Sequence, residues 1–569
     1  MRDSHGLTIG MALVIVMGCG ASTAFVGHAR TVIVDPPHLE LPVRACSFPG
    51  VPFPRATLTW ASLLLLAIPQ AAQAVPVEHG SRASRWAVDC AAAMQIALPN
   101  ARITEVRAVQ PNDSLRALGQ RPYCQVAALV DAETHIVALL PDDWNGRFLM
   151  GGGGGYVGAV DNQFASTVQD GFATVGTDAG HSANMLSAGW ALRNDTRITD
   201  FAYRAVHRTA EVTKLLIAAY YGRPPEHSYF IGCSNGGREA LMEAQRFPAD
   251  FDGIVAIAPA YNFLAITTTF VRNSQAQYPT GDFNAPVVTP DVLKLLAAKV
   301  TETCDATDGV RDGTIENPEA CTFTLASLPT CPNDTAASSC VTRTQRAALS
   351  TFAAPLAAGA VRYPGQPFGD EADPDGWHAW ITGPLGAPLD TTGRTPPTVQ
   401  GIFGTEFFKF FIYGDSTWRY VGYDLARAAR DGAKVDALVS ATNPDLSAFR
   451  ARGGKLLLAH GWSDPALNAR STIDYFKAVT ARTPQASSFT RLFMMPGVLH
   501  CAGGSGCDQV DWTGTIRRWV ETGEAPSRLI ARKERGTQVL RTHPLCAYPM
   551  TAQYNGTGST NDAAAFTCQ

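Results

Sequence analysis

Short apolar runs alternate with amphipathic stretches along residues 125–257. Runs typical of buried strands occupy residues 125–130, 135–140, 147–150, 173–176, 229–233 and 251–257. On either side of the fifth run, residues 212–220 and 238–247 carry apolar side chains at the spacing of a helix. Strands that alternate with helices in this way predict an α/β sheet.

The alternation stops at residue 260. Residues 260–446 are rich in Pro, Gly, Asp and aromatic residues, and a buried-strand pattern returns only at residues 454–460. A long segment of this kind inside a sheet domain is typical of a lid over an active site. We therefore predict an α/β core in two parts, residues 75–259 and 447–569, interrupted by a lid insertion at residues 260–446.

The fifth apolar run leads into a Gly-x-Ser-x-Gly turn centred on Ser234. Gly232 and Gly236 allow a sharp turn between strand and helix, so that the serine oxygen projects from it. The N-terminus of the following helix favours developing negative charge. A structural serine in an α/β turn is the alternative, but the order of strand, turn and helix favours a nucleophile.

A serine nucleophile requires a histidine base and an acid that orients this base. Asp464 follows the strand run at residues 454–460, and His500 follows another apolar run at residues 491–495. The order Ser, Asp, His along the chain is that of the α/β-hydrolases. We therefore predict a triad of Ser234, Asp464 and His500.

Other residues compete for the roles of base and acid. His460 and His181 also follow apolar runs, and either is an alternative base or a structural histidine. Asp178 and Asp252 are alternative acids, although Asp178 precedes the serine and Asp252 opens a strand rather than ending one.

Five consecutive glycines, residues 151–155, follow the strand run that ends at Met150. Glycines at this point let backbone N–H groups approach a substrate oxyanion, and the N–H of Asn235 offers the partner donor. A loop that cradles phosphate is the alternative, but no Lys-Ser/Thr follows the glycines and their spacing fits no dinucleotide fingerprint.

The cysteines indicate an oxidising compartment. Of 13 cysteines, Cys19 and Cys46 precede a predicted cleavage site, so an odd number remains and at least one thiol is free. Cys233 adjoins Ser234, and Cys501 adjoins His500. A serine and a histidine within hydrogen-bond reach bring their neighbours together, which predicts a Cys233–Cys501 disulfide, with two buried free thiols as the alternative.

Residues 55–74 resemble a secretory signal, with Arg55, an apolar core at residues 58–68 and Ala72-Gln73-Ala74. Residues 1–50 are either an unusual leader or a mis-assigned start. We predict a secreted or periplasmic protein without stable membrane association after cleavage of the signal. The net charge of -4 and pI near 6.3 offer no basic field for nucleic acid.

An aspartate-rich loop lies within the insertion. Asp305, Asp308 and Asp312 lie within eight residues of one another beside Gly309 and Gly313, and hard oxygen ligands on such a loop suit calcium. The spacing differs from that of an EF-hand. A solvated Asp/Gly turn is the alternative, and flanking Cys304 and Cys321 are in position to close the loop covalently. We predict a structural calcium in the lid.

Several of these motifs together resemble the tannase and feruloyl esterase family, which are secreted serine esterases with an α/β-hydrolase core and a large lid. The resemblance covers nearly all of residues 85–569. It is carried by the Gly-Cys-Ser-x-Gly-Gly-Arg run at residues 232–238, the pair His500-Cys501, the approach to the glycine loop at residues 144–148, and the loop at residues 305–314.

The resemblance implies a role for many residues of this chain. It implies Ser234, Asp464 and His500 as the triad, and Gly155 with Asn235 as oxyanion donors. For calcium it implies the side chains of Asp305, Asp308 and Asp312 and the carbonyls of Val310 and Thr314. The implied disulfides are Cys90–Cys124, Cys233–Cys501, Cys304–Cys321, Cys331–Cys340 and Cys546–Cys568, which leaves Cys507 unpaired.

Family members hydrolyse feruloyl and other hydroxycinnamoyl esters, galloyl esters, or mono(2-hydroxyethyl) terephthalate, and the lid selects among them. The terephthalate enzymes carry a lid arginine where Thr398 stands here, although Arg394 is near in sequence. The lid is also rich in aromatic residues suited to a phenolic ring, or to the lid's own core: Phe403, Phe407, Phe408, Phe411, Tyr413 and Trp418.

We therefore expect hydrolysis of small aromatic esters, of hydroxycinnamoyl type, through an acyl-serine intermediate. Tannase and terephthalate-ester hydrolase are the alternatives within the family. Two further alternatives are a serine peptidase on the same core and an inactive protein that binds phenolic glycosides or wall polysaccharide.

Overall fold

The computed structural model describes residues 88–112, 119–385 and 394–569, all within one compact unit. The predicted leader, with its signal-like segment at residues 55–74, lies outside the described residues, as do Cys19 and Cys46. Among the described residues, no helix is both long and apolar enough to span a bilayer.

The described strands, in chain order, are β1 (Ala101–Val109), β2 (Tyr123–Val130), β3 (Thr134–Pro141), β4 (Arg147–Gly151), β5 (Ala173–Thr177), β6 (His227–Cys233), β7 (Gly253–Ile257), β8 (Leu356–Ala358), β9 (Val361–Tyr363), β10 (Lys455–Gly461), β11 (Thr490–Met495), β12 (Arg528–Arg535), β13 (Gln538–Cys546), β14 (Ala552–Tyr554) and β15 (Phe566–Cys568).

The described α-helices are α1 (Asp195–Thr199), α2 (Ala205–Tyr221), α3 (Asn235–Arg246), α4 (Phe263–Gln277), α5 (Pro290–Cys304), α6 (Arg343–Ala353), α7 (Val399–Glu406), α8 (Ala428–Asp431), α9 (Ala433–Val439), α10 (Ser447–Ala451), α11 (Ala469–Arg482) and α12 (Trp512–Thr522). Wider π-helical turns occupy Asp200–Arg204, Pro374–Thr382 and Phe407–Ile412.

A nine-stranded mixed sheet, in the order β1-β2-β3-β5-β4-β6-β7-β10-β11, confirms the predicted α/β architecture. The first strands are antiparallel, and all strands from β5 to β11 in this order are parallel. Strands β5 and β7 are buried along their whole length and β6 along most of its length, because helices cover both faces of the parallel part of the sheet. Helices α2, α3 and α11 pack on one face and α12 on the other.

The edge strand β1 was not predicted from the sequence. Most of its residues are exposed or half-buried, and only Ile103 is buried. A strand at the edge of a sheet needs little apolar surface when one neighbour supplies its hydrogen bonds, so its sequence lacks the apolar run that marks the other strands.

The predicted insertion lies between two adjacent strands of the sheet. Gly253 of β7 pairs with Lys455 of β10. The chain therefore leaves the sheet after β7 and returns to it in β10, directly beside β7. The described part of the intervening segment contributes helices and the small β8–β9 ribbon, and no strand of the large sheet. It has its own apolar cluster around Leu296, Phe352 and Trp377. The domain boundaries stay a prediction.

A half-buried ion pair ties the sheet to α12. Arg147 of β4 donates two hydrogen bonds, at 2.6 and 2.7 Å, to the carboxylate of Glu521. The hydroxyl of Tyr229 donates a third, at 2.8 Å. The hydrogen bonds from Arg147 and Tyr229 outweigh burial and lower the pKa of Glu521 to about 2.

Replacing this carboxylate should destabilise the fold in a pH-dependent manner. Glu521→Gln is expected to lower the free energy of unfolding by roughly 2 kcal/mol at pH 7, because Arg147 is left without its charged partner. A carboxyl group whose pKa is lower in the folded state stabilises that state at pH values above its unfolded-state pKa. This stabilisation is lost as the pH falls toward the folded-state pKa. Urea unfolding at pH 7 and pH 3 should therefore show a smaller difference at pH 3; an equal difference would contradict the assignment.

Candidate active site

Ser234 occupies the sharp turn between β6 and α3. Its backbone has φ 63° and ψ −122°, a conformation rarely adopted by residues other than glycine. The turn is held because the N–H of Ser234 donates to the carbonyl of Ile257 and its carbonyl accepts from the N–H of Ala260, each at 3.0 Å. A Cβ on Gly232 would lie 2.5 Å from the backbone of Gly236, so this position requires glycine. The strand, turn and helix predicted here are all present.

The structure brings the predicted triad together. The Ser234 Oγ lies 2.9 Å from His500 Nε2, and the His500 Nδ1 lies 2.8 Å from Asp464 Oδ2. Asp464 follows β10 and His500 follows β11, and these strands are parallel neighbours whose carboxyl ends adjoin. This arrangement lets the serine hydroxyl donate to Nε2 while Nδ1–H donates to the aspartate.

Asp464 is fully buried but well supplied with donors. Its Oδ1 accepts the N–H groups of Ala466 and Leu467 at 2.8 and 2.9 Å, and His460 Nε2 lies 3.1 Å from Oδ2. Burial by itself would raise the pKa of Asp464, but His500 and His460 outweigh burial and hold the pKa well below its usual range. The acid therefore stays ionised and able to orient His500.

The alternative bases and acids lie in other contacts. The ring of His460 is buried behind Asp464, with Nδ1 2.7 Å from the hydroxyl of Thr472. The ring of His181 stacks on Trp190 at 3.6 Å. Asp178 pairs with His135, and Asp252 accepts the N–H of Ser228. These contacts give all four residues structural roles.

The glycine loop packs directly on the serine turn. A Cβ on Gly152 would lie 2.6 Å from the Cα of Gly236. Gly152 and Gly154 donate their N–H groups to protein oxygens, at 2.9 and 3.1 Å. Gly155, with φ 55°, and Asn235, the first residue of α3, have backbone N–H groups that donate to no acceptor within the described ranges. These are the two N–H groups expected as oxyanion donors.

Two buried charged residues behind this loop were assigned no role from the sequence, although Arg238 ends the Gly-Cys-Ser-x-Gly-Gly-Arg run. Arg238 is fully buried and donates to the carbonyls of Phe201 and Ala202. Glu239 is 2% exposed and accepts from the N–H of Gly153 at 3.0 Å. The available signal was two charged residues directly after the Gly-Gly of the turn, on a helix face that the sheet must cover.

The insertion contacts the loops that carry Asp464 and His500. The Oδ2 of Asp370 accepts the hydroxyls of Ser463, at 2.7 Å, and Ser505, at 3.1 Å. Ser463 precedes the acid, and Ser505 lies in the loop after the base. One carboxylate of the insertion therefore links both loops, and no sequence pattern indicated it.

Aromatic side chains of the insertion border the site. The ring of Trp380 lies 5.0 Å from that of His500 and 6.5 Å from that of Phe403. A Cβ on Gly155 would lie 3.3 Å from the ring of Phe403 and 2.6 Å from the carbonyl oxygen of Met185. Of the other lid aromatics, Phe407, Phe408 and Phe411 are buried in a cluster with Tyr156. These three side chains therefore belong to the core of the insertion, whereas Trp380 and Phe403 border the site.

The structure contains the five disulfides expected. Cys233 and Cys501, with Cα atoms 5.9 Å apart, link the serine turn to the histidine loop across 268 residues of chain. Cys507 is a buried free thiol.

The aspartate loop is folded through its own carboxylates. Asp305 accepts the N–H of Gly313 at 2.9 Å, and Asp308 accepts that of Val310 at 3.0 Å. The carbonyls of Val310 and Thr314 accept no hydrogen bond from the described residues. The donor set of hard oxygens therefore fits calcium chemically. No three carboxylate residues of the described loop have ligand oxygens within 4.8 Å of one another, so binding would draw them together.

A second cluster of titratable side chains lies near the C-terminal end of α3. Ligand atoms of His207, Glu243 and Asp250 lie within 4.8 Å of one another. His207 Nδ1 already shares a hydrogen bond of 2.6 Å with Asp250, and Lys214 donates to the Asp250 carbonyl. Burial and Asp250 raise the pKa of Glu243 well above its usual range. Protein groups thus balance the charge of this cluster.

Comparison with known proteins identifies the family. A family model described as tannase and feruloyl esterase matches residues 124–569. The chain belongs to this family. The esterase is 31% identical to feruloyl esterase B of Aspergillus niger, over 89% of this chain and 99% of that protein. It is 33% identical to mono(2-hydroxyethyl) terephthalate hydrolase of Piscinibacter sakaiensis, over 78% of this chain and 84% of that protein.

The solved structures agree with the fold. The crystal structure of feruloyl esterase B from Aspergillus oryzae matches the esterase with a TM-score of 0.73 at 27% identity, over 84% of this chain and 99% of that chain. These matches confirm the predicted family, the α/β-hydrolase fold and the activity class: the esterase is a carboxylic ester hydrolase.

Loss of the disulfide beside the triad should lower the activity of the esterase. In Cys233→Ala/Cys501→Ala, kcat is expected to fall about tenfold or more, because the histidine loop is freed from the serine turn. Steady-state hydrolysis of methyl ferulate measures the effect, and circular dichroism verifies the fold. Cys331→Ala/Cys340→Ala is the matched control, since that disulfide joins residues only 9 positions apart within the insertion. Equal effects of the two double variants would contradict a specific role.

Proposed function

We propose that the esterase hydrolyses aromatic carboxylic esters through an acyl-enzyme on Ser234. The hydrogen-bonded series from Asp464 through His500 to Ser234 carries this proposal, since both distances are within 2.9 Å. The N–H groups of Gly155 and Asn235 support it, because they donate to no acceptor among the described residues and an oxyanion requires donors that are not already occupied.

In the first step the Ser234 Oγ attacks the ester carbonyl carbon while His500 Nε2 takes the hydroxyl proton. The carbonyl oxygen becomes an oxyanion that accepts hydrogen bonds from Gly155 and Asn235. The bond to the leaving alcohol breaks as His500 returns the proton to its oxygen. Water then attacks the acyl-serine by the same route, and the free acid and Ser234 are released. Asp464 orients His500 throughout.

The walls of the site favour a hydroxycinnamoyl acyl group. Trp380 and Phe403 offer apolar ring faces beside His500 and Gly155, which suits an extended phenolic ring. Thr398 is 2% exposed and its hydroxyl accepts the N–H of Gly401, so it offers no charge to a free carboxylate. The relative from Aspergillus niger is named a feruloyl esterase. The relative named a terephthalate-ester hydrolase and the nearby Arg394 keep that ester as the second candidate.

An ester panel tests the proposal. We expect methyl ferulate to be cleaved with the highest kcat/KM, above methyl gallate and mono(2-hydroxyethyl) terephthalate. Ser234→Ala should lose about 10⁶-fold in kcat, because the nucleophile is removed. Product formation by liquid chromatography measures both effects. Preference for the terephthalate ester would overturn the assignment of the acyl group and leave the mechanism standing.

Covalent labelling distinguishes the proposed esterase activity from the two alternatives, an inactive binding protein and a serine peptidase. A fluorophosphonate should attach to wild type and not to Ser234→Ala. Failure to label folded wild type would favour an inactive phenolic-binding protein. Labelling together with cleavage of peptides but not esters would favour a peptidase.

We also propose that the esterase is exported and that its lid holds a structural calcium. Five disulfides support an oxidising compartment. For calcium, Asp305, Asp308 and Asp312 would supply side-chain oxygens, and Val310 and Thr314 would supply carbonyls. The ion would brace the loop closed by Cys304 and Cys321.

Calcium removal should lower thermal stability. At calcium about 100 times its Kd, binding to the folded state alone adds about 2.7 kcal/mol, which EGTA should remove. In Asp308→Asn, the melting temperature should no longer depend on calcium. Mg²⁺ serves as the control ion. Differential scanning calorimetry measures the melting temperature. A wild-type melting temperature that is the same in calcium and in EGTA would refute the calcium site.

A further inference from the structure

Glu239 contacts both segments that carry the proposed oxyanion donors. It lies on α3, and its Oε2 accepts the N–H of Gly153, two residues before Gly155, at 3.0 Å. Its Oε1 accepts from the side-chain amide of Asn235 at 2.9 Å. One buried carboxylate therefore connects the glycine loop to the start of the helix that follows Ser234.

The amide of Asn235 completes this connection. Its Nδ2 also lies 3.3 Å from the carbonyl of Gly153, so the glycine is held at both its N–H and its carbonyl. Its Oδ1 accepts from Nε of Arg238 at 2.7 Å, which fixes the orientation of the amide and aims Nδ2 at Glu239. The side chain of Asn235 is thus part of the scaffold, while its backbone N–H donates to no acceptor among the described residues.

We propose that ionised Glu239 is a positioning residue for the oxyanion site. Its two hydrogen bonds fix the glycine loop relative to α3, and thereby the separation between the N–H groups of Gly155 and Asn235. The inference rests on the proposed function, because it assigns a purpose to the positions of these two donors. Glu239 does not contact the substrate in this role.

The carboxylate serves this role only when it is ionised. An ionised carboxylate accepts on both oxygens, whereas a protonated one carries a hydrogen on one of them and loses one of the two bonds. Among the described residues, Arg238, Asp161 and Glu243 interact electrostatically with Glu239, and Asp161 itself accepts the N–H of Gly154. Burial raises the pKa of Glu239 to about 7, against the opposing effect of Arg238. The positioning effect is therefore present above about pH 7 and is lost as pH falls.

Glu239→Gln tests the proposal, because glutamine keeps the size of the side chain but accepts on one oxygen only. We expect kcat for methyl ferulate to fall about 10- to 100-fold with KM nearly unchanged, as for a misplaced oxyanion donor. The inhibition constant of phenylboronic acid, which forms a tetrahedral adduct with the serine, should rise by a similar factor. The acid limb of log kcat against pH should be steeper in wild type than in the variant.

Glu243→Gln is the matched control. Glu243 lies one helical turn further along α3 and is fully buried, but it has no hydrogen bond to the glycine loop among the described contacts. Its replacement should leave kcat, the inhibition constant and the pH slope unchanged. A similar loss in both variants would assign Glu239 to general stability and overturn the proposal.

Asn235→Ala provides an independent variant should Glu239→Gln fail to fold. It keeps the backbone N–H and removes the amide that Glu239 holds, so kcat should fall with KM nearly unchanged. In the double variant Glu239→Gln/Asn235→Ala, kcat should be no lower than in the less active of the two single variants, because both substitutions act through one connection. Multiplied effects, or wild-type kcat in either folded variant, would overturn the proposal. Full activity of Ser234→Ala would instead refute the proposed function itself.

Discussion

The backbone contact between the glycine loop and the serine turn is the constraint on which the active site depends. Gly152 approaches Gly236 so closely that a Cβ on Gly152 would lie 2.6 Å from the Cα of its partner. A Cβ on Gly232 would lie 2.5 Å from the backbone of Gly236. Only glycine fits at these positions, and this approach brings the loop after β4 against the turn after β6.

Buried charges then hold this contact in register. Arg238 and Glu239 lie inside the core, where an unpaired charge would be costly. Each is directed at backbone groups: Arg238 at carbonyls of the π-helical turn before α2, and Glu239 at the glycine loop. Asp464 follows the same rule, with two backbone N–H groups on one oxygen. The site thus uses buried charges to orient the main chain as well as side chains.

The insertion does more than cover the site. Asp370 joins the acid loop to the base loop, and Trp380 lies against His500. Parallel strands β10 and β11 would place Asp464 and His500 near each other without these contacts, but their loops would be less constrained. Because the insertion begins and ends at adjacent strands, it reaches these loops while the sheet remains continuous. The same segment therefore contacts both loops of the triad and supplies the side chains to which we attribute the proposed acyl selectivity.

The sequence was sufficient to predict the strand, turn and helix around the serine, the proximity of Ser234, Asp464 and His500, and the Cys233–Cys501 pairing. Each of these follows from a local pattern: an apolar run that ends in Gly-x-Ser-x-Gly, a polar residue directly after a buried strand, and cysteines beside residues that chemistry brings together. The loop of five glycines also carried its own signal, because backbone without side chains is needed where a substrate oxygen approaches.

The roles of Glu239, Asp370 and Trp380 were decided by the tertiary structure alone. Their partners lie far along the chain: Glu239 contacts a glycine 86 residues away, and Asp370 a serine 135 residues away. A single glutamate, aspartate or tryptophan has no local pattern that distinguishes a structural role from a functional one. The edge strand β1 was missed because pairing with β2, rather than burial of its own side chains, defines it. Local periodicity reports which face of an element is buried, whereas these contacts arise only when distant elements pack together.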